Sequence, residues 1–479
     1  MTSAPSLSVS TPQAQVRAGV ARGDITPPVG IYHRMWGAAL HDRATGVHRP
    51  LTATALWLAP SMEALERATL IIALDHCILD RSEMERIRTL AAAATGIAAD
   101  DVQVSLSHTH GAGFMSRSRE HLPGGDLIGP YLDFVIEEVT LLAVEAQAHA
   151  QAATILYGTG VCKLAAHRDM FDEARGRYVC GFNPEGPADD TLLVVRIASQ
   201  SKATLATLVN YACHPTALAW DNTLISPDWI GAMREVVETA SGAPCLFLQG
   251  ASGDLGPRDG FVGDLAVAER NGRQVGYAAL ATLEALPPPG TRFEFAGGVQ
   301  SGTWIGTWRH VQAVVSTPAW QWDRITVDLP YRDDLPTIPQ TLADRERWQG
   351  EEQTARAAGD EARVRDCRAN VEQMTRQLQR LETLPVGKAY PMQVVLGKLG
   401  DGLWVFVPGE LYQVFQTSLR TQLAPRPVIV ATISNDWQPG YLPAEGSYGR
   451  GIYQDVISPL APGCLEMLLA AVAQRLKEM

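Results

Sequence analysis

Two histidines stand two residues apart in the run Val102-Gln-Val-Ser-Leu-Ser-His108-Thr-His110-Gly-Ala-Gly113, where an apolar stretch ends in H-x-H and a glycine-rich turn. If that stretch is a strand, both imidazoles share a face at its C-terminal end, the edge where open α/β sheets bind ligands. The pair suits zinc, which takes imidazole nitrogen at about 2.0 to 2.1 Å and keeps one position open in catalytic sites. Structural or surface histidines fit the same letters. Asn210-Tyr-Ala-Cys-His214-Pro-Thr216 again ends an apolar stretch in a histidine, followed by a proline that stops regular pairing. His214 reads as a hydrogen-bonded core or loop histidine, or as a second ligand arriving from a separate strand edge. Glu410, in Val405-Phe-Val-Pro-Gly-Glu410, follows a strand and a Pro-Gly turn and by composition alone is a solvated turn residue.

Two further clusters sit at strand ends. Asp75 closes the run Thr-Leu-Ile-Ile-Ala-Leu and reads as a second-shell acceptor that orients a ligand histidine, or as a plain strand-end cap. Gln249-Gly-Ala-Ser252-Gly253-Asp254-Leu-Gly256-Pro257 has glycines that permit positive φ and close backbone approach, either as an anion-binding concavity or as an ordinary tight loop.

The elements that must position these residues are legible as an alternation. Short β-rich apolar runs at 51–58, 69–79, 102–107, 192–197 and 203–210 alternate with helical periodicity at 80–94, 131–152, 229–240 and 265–286. Further strands are expected at 392–396, 403–407 and 428–432, with a closing helix at 464–477. The fold class is α/β, with mixed β-sheets layered with helices. Residues 342–384 differ, being densely charged and poor in Leu, Val and Met, and read as an inserted helical hairpin that is a solvated pair, an oligomerisation arm or a lid.

The chain has 479 residues, 46% hydrophobic and 19% charged, which excludes disorder. With 40 Lys+Arg against 52 Asp+Glu its net charge is −12, which disfavours a nucleic-acid partner. No run reaches the roughly 18 to 20 apolar residues of a membrane span. Residues 1–15 read as a loose polar tail without a secretion signal, so a cytoplasmic location is expected. Cys77, Cys162, Cys180, Cys213, Cys245, Cys367 and Cys464 form no C-x-x-C pair and read as reduced thiols. Neither G-x-x-x-x-G-K-[ST] nor G-x-G-x-x-G is present, so a nucleotide cofactor has no support.

Taken together, the ordered set H-x-H, H-P-T, G-D, P-G-E and G-Y-x-P resembles the neutral ceramidase family, zinc-dependent amidases that cut the N-acyl bond of ceramide, and more closely its shorter bacterial relatives. Ala18-Gly-Val-Ala-Arg-Gly-Asp24-Ile-Thr-Pro27, Gly46-Val-His48-Arg-Pro-Leu, Gly440-Tyr-Leu-Pro443 and Gly451-Ile-Tyr453 extend the likeness over nearly the whole chain. It implies one catalytic domain over residues 16–479, without the family's C-terminal immunoglobulin-like domain. It also implies one Zn2+ per chain held by His108, His214, Glu410 and Tyr441. His110 matches a histidine that faces substrate and assists proton transfer, and Arg168 matches an arginine that contacts substrate. Tyr453 matches a tyrosine that donates to the developing oxyanion, worth about 3 kcal/mol.

One departure matters for mechanism. The family's G-D-x-S-P carries a serine often assigned as nucleophile, whereas this chain reads Gly253-Asp254-Leu255-Gly256-Pro257. The expected activity is therefore amide hydrolysis by a metal-bound water on a small-molecule substrate. The alternatives are an ester or lactone hydrolase, and a zinc-binding relative that lost catalysis and serves recognition.

Overall fold

In the computed structural model, which describes residues 7–61, 64–313 and 319–479, the leucine- and β-branched-rich runs form one eight-stranded sheet. From edge to edge its strands are Cys245–Gln249, Thr204–Tyr211, Thr191–Ser199, Gln151–Val161, Gln13–Asp24, Thr52–Ala59, Thr69–Leu74 and Val102–Leu106. The outermost pair at each edge is parallel and the pairs between are antiparallel. A parallel pair needs a crossover, supplied here by helices Arg81–Thr95 and Trp229–Ser241. Two βαβ units thus flank the sheet, and His108 and His214 each follow a strand of one unit.

Thr69–Leu74 shows why such strands read as unbroken apolar runs. Leu70, Ile72 and Leu74 pack with helices Arg81–Thr95 and Ile128–Ala148, while Ile71 and Ala73 face the other way into a second core. That second core lies against a four-stranded sheet of Trp320–Pro330, Ala389–Leu399, Gly402–Phe406 and Val428–Ala431. Trp404, Phe406 and Ile429 meet Val195, Leu208 and Leu246 there. Helices Val414–Leu423 and Cys464–Glu478 cover the outer face of the smaller sheet. The layers are helix, sheet, sheet, helix, in agreement with the expected α/β class.

The chain after Val428–Ala431 reaches both edges of the large sheet. Thr432 donates its amide to Gln249 O at 2.8 Å, and Asn435 donates to Val104 O at 2.7 Å. The Ser105 and Ser434 hydroxyls are 2.6 Å apart. The two βαβ edges are thereby drawn to a common segment, and their C-terminal loops to a common centre.

Three expectations are corrected. Residues 1–15 are not a tail throughout, because Ser8–Val9 pairs with Phe293 and Glu294, and Ala14 belongs to the inter-sheet core. The strand expected at 69–79 ends at Leu74, where His76 donates its amide back to Leu74 O at 3.0 Å. The charged segment is a hairpin of helices Ile338–Ala358 and Glu361–Thr383, inserted between two paired strands of the smaller sheet, but its second helix is packed down on the body of the protein. Among the described residues no helix is long and apolar enough to cross a membrane.

Candidate active site

The strand carrying the H-x-H motif stops at Leu106, and His108 takes a left-handed conformation with φ of 64°. A side chain there is strained, a state that persists only where surrounding bonds fix it. The His108 amide donates to His76 O at 2.8 Å, and Gly111 runs so close to Ser226 that a Cβ would lie 2.5 Å from its carbonyl oxygen. The imidazoles of His108 and His110 therefore do not project from one strand face, as an extended chain predicts. They converge through the turn, with ring centroids 5.1 Å apart at 84°.

His108 Nδ1 is 2.9 Å from Cys77 O, and His214 Nδ1 is 2.7 Å from Ser252 O. Each ring donates its Nδ1 proton to main chain, which directs its Nε2 into the site. Both Nε2 atoms face Glu410 Oε2, at 3.2 Å from His108 and 3.1 Å from His214. The Tyr441 hydroxyl is 3.4 Å from His214 Nε2. Glu410 and Tyr441 are placed together because Glu410–Leu411 and Tyr441–Leu442 form a short parallel bridge in which the two residues are directly opposite. In a tetrahedral zinc site with bonds of about 2.0 to 2.1 Å, ligand atoms stand about 3.3 Å apart. His108 Nε2 is buried and has no hydrogen-bond partner, so the donor set fits a divalent ion. Cys77, His108 and His110 make a second potential group, but it competes for a His108 ring whose Nδ1 already serves the Cys77 carbonyl.

Charge follows the geometry. Burial opposes ionisation of Glu410, yet the His108 and His214 rings hold its carboxyl well below the usual range. Burial, and then the Arg168 guanidinium, push His214 down to about 3. Burial and the neighbouring His108 and His214 rings likewise drop His110 well below its ordinary value. Both shifts favour the neutral imidazole for His214 and His110.

Arg168 donates to Gly253 O at 2.7 Å, with its guanidinium carbon 5.3 Å from the Tyr441 ring centroid. Tyr453 is 47% exposed and its ring stands 5.7 Å from that of Tyr441. Asp254 accepts from the amide and side chain of Gln413 at 2.8 and 2.9 Å, fixing the chain three residues after Glu410. Gly256 pairs with Ala166, and a Cβ on it would meet only Arg168 and Thr216 at 3.9 Å. Asp75 is not the acceptor for a ligand imidazole. It receives Arg234 at 2.9 and 3.0 Å and Thr52, because main-chain carbonyls already take the histidine protons.

Above these residues lies a cavity of about 600 Å³ that His110, Arg168, Thr216, Tyr441 and Tyr453 share with residues that carried no sequence signal. Trp36 packs on His110 at 4.9 Å between centroids and on Trp220 and Phe261 at 6.3 and 5.8 Å, forming an aromatic wall. Arg376 and Arg380 enter from the inserted hairpin. Trp304, Trp308, Trp320 and Trp322, clustered in sequence, do not line it; Trp304 is 75% exposed on a hairpin and Trp320 is in the inter-sheet core.

No known family's sequence profile and no curated protein matches the chain. Solved structures do. The neutral ceramidase from Pseudomonas aeruginosa superimposes with a TM-score of 0.66 at 16% identity, over 98% of this chain and 75% of that one. The fold is that of a neutral ceramidase. A ceramidase complexed with C2 matches similarly, with a TM-score of 0.65 at 15% identity, over 98% of this chain and 76% of that one. In this ceramidase-like fold the centre described above lies where the two sheets' loops meet.

Proposed function

We propose that the chain is a hydrolase of an amide (N-acyl) bond that works with one zinc ion held by His108, His214, Glu410 and Tyr441. The reading rests on one observation: two buried imidazole Nε2 atoms, a carboxylate oxygen and a phenol oxygen meet at 3.1 to 3.4 Å. The ceramidase-like fold supports an amide as the bond cut. A zinc ion in such a site lowers the pKa of water to about 7 and polarises a carbonyl oxygen.

The chain supplies the remaining functions. His110 has two buried ring nitrogens without protein partners, so it can take a proton from water and return it to the leaving amine nitrogen. Tyr453 donates its O–H to the oxygen of the tetrahedral carbon. Arg168, fixed on the Gly253 carbonyl, places positive charge beside the Tyr441 ring and favours its phenolate. The Trp36, Trp220 and Phe261 wall excludes bulk water and holds apolar substrate. Gly256 offers no nucleophile, which leaves that role to water.

The test is hydrolysis of a panel of N-acyl amides and matched esters by the purified full chain, before and after chelation and after zinc is returned. Amide cleavage abolished by chelation and restored by zinc is expected. Cleavage indifferent to chelation, or zinc-loaded protein without turnover on any member, would overturn the reading.

A further inference from the structure

Arg380 is 7% exposed, lines the cavity, and forms no ion pair among the described residues. Its Nη1 donates to Gln377 Oε1 at 2.6 Å, while its Nε has no partner. Two other buried arginines are ion-paired, whereas Arg34, 9% exposed, donates only to the Gly37 and Arg368 carbonyls. Arg119 meets both oxygens of Glu372 at 2.8 and 2.9 Å, and Arg234 meets both oxygens of Asp75 at 2.9 and 3.0 Å. A buried cation without an anion is costly, and burial pulls the Arg380 pKa below its ordinary value. Arg168, 3% exposed, also lacks a carboxylate partner among the described residues, and its Nε is unpartnered. Glu372, the one carboxylate the hairpin brings to the cavity, is already taken by Arg119 and Arg376. The cavity therefore holds an excess of positive charge before any metal is counted.

With Nε enclosed and Nη1 on Gln377, Arg380 Nη2 is the donor left without a hydrogen bond among the described residues, and a guanidinium N–H of this kind receives a carboxylate. Its place in the cavity fixes where that carboxylate stands, because Arg380 Nε is 3.7 Å from the point a Cβ on Gly440 would occupy, next to Tyr441. An anion held by Arg380 would therefore stand beside Tyr441 and the proposed zinc ligands.

We infer that the substrate is an N-acyl amino acid, with its carboxylate received by Arg380 of the inserted hairpin and its apolar part against the Trp36, Trp220 and Phe261 wall. This deepens the proposed hydrolase and rests on it. Water adds across the C–N bond, the acyl carbon keeping the hydroxyl as a carboxylic acid and the amine nitrogen taking the proton. The hairpin is then the part of the molecule that selects the substrate.

The test uses the zinc-loaded full chain, N-hexanoyl-phenylalanine and its neutral carboxamide, N-hexanoyl-phenylalaninamide. The acid is expected to exceed the carboxamide in kcat/KM by about 100-fold, since an unmet buried charge rejects the neutral analogue. Arg380→Gln should shrink that ratio to below about tenfold by lowering the value for the acid, and Arg380→Lys should restore part of it. Equal values in the wild type, or an undiminished ratio in R380Q, would overturn the inference, and the carboxamide reports on whether the variant is still folded and active. If neither compound is cleaved, the amide and ester panel decides the hydrolase reading separately. Calorimetric binding of the same pair then decides the anion site, with selective loss of the acid in R380Q for it and equal binding of both compounds against it.

Discussion

At the scale of single residues, the left-handed φ of 64° at His108 is what turns a sequence motif into a site. An H-x-H on a straight strand would project two parallel imidazoles; the turn after Leu106 lets one face Glu410 and the other face the cavity. His108→Ala or His214→Ala should lower amide hydrolysis by at least about 1,000-fold, as expected when an acting group of a catalytic unit is removed. Rates retained within tenfold in either variant would count against the site. Gly256 has no positive φ and its Cβ position meets only ordinary contacts at 3.9 Å, so Gly256→Ser should leave the melting temperature level or slightly raised, by less than about 1 kcal/mol of stability. A loss larger than that, read by denaturant titration, would show that the loop cannot take the hydroxyl. His108 and His214 stood out because each ends an apolar run, whereas Glu410 read by composition as a solvated turn residue and became a ligand candidate only through the resemblance. Trp36 and Arg380 were not, because what defines them is proximity across the fold, which has no local spacing. Asp75 misled for a related reason: a carboxylate at a strand end reads the same whether its partner is an imidazole or the distant Arg234.

At the scale of elements, the helical hairpin was legible in extent but not in placement. Its charge density suggested a solvated face, yet helix Glu361–Thr383 docks through polar groups, with Glu372 between Arg119 and Arg376 and the Arg376 guanidinium on the Met35 carbonyl. Burial works against ionisation of Glu372, but Arg376 and Arg119 outweigh it and pull the carboxyl from 4.5 to about 2. A depressed carboxyl contributes stability that is fully present above the unfolded value and fades as pH falls through the folded one. Glu372→Gln should therefore loosen the docked helix by about 3 kcal/mol near pH 7. The difference from wild type should narrow as pH falls from 4.5 towards 2. Limited proteolysis of the hairpin across that range reads it; a difference independent of pH would mean that packing, not charge, holds the hairpin down.

At the scale of the whole molecule, two βαβ edges must be held in register for the loops carrying His108 and His214, 106 residues apart in sequence, to share one centre. The helix–strand alternation made the layers legible, whereas the strand order was not, since a parallel edge pair and an antiparallel interior have the same apolar composition. The Asp75–Arg234 pair spans the two units, joining the end of Thr69–Leu74 to helix Trp229–Ser241, with Asp75 1% and Arg234 8% exposed. Asp75→Ala strands a buried guanidinium and should cost about 3 to 5 kcal/mol in global unfolding. Metal content should stay at the wild-type level in the folded protein; metal lost without a change in stability would instead make Asp75 part of the centre.

Metal stoichiometry bears most directly on the shared centre, measured on zinc-reconstituted, dialysed full chain and on the His108→Ala/His214→Ala double variant. One zinc per chain in the first and none in the second is the expected result. A full equivalent of zinc retained by the folded double variant, or no zinc retained by the wild type, would contradict it.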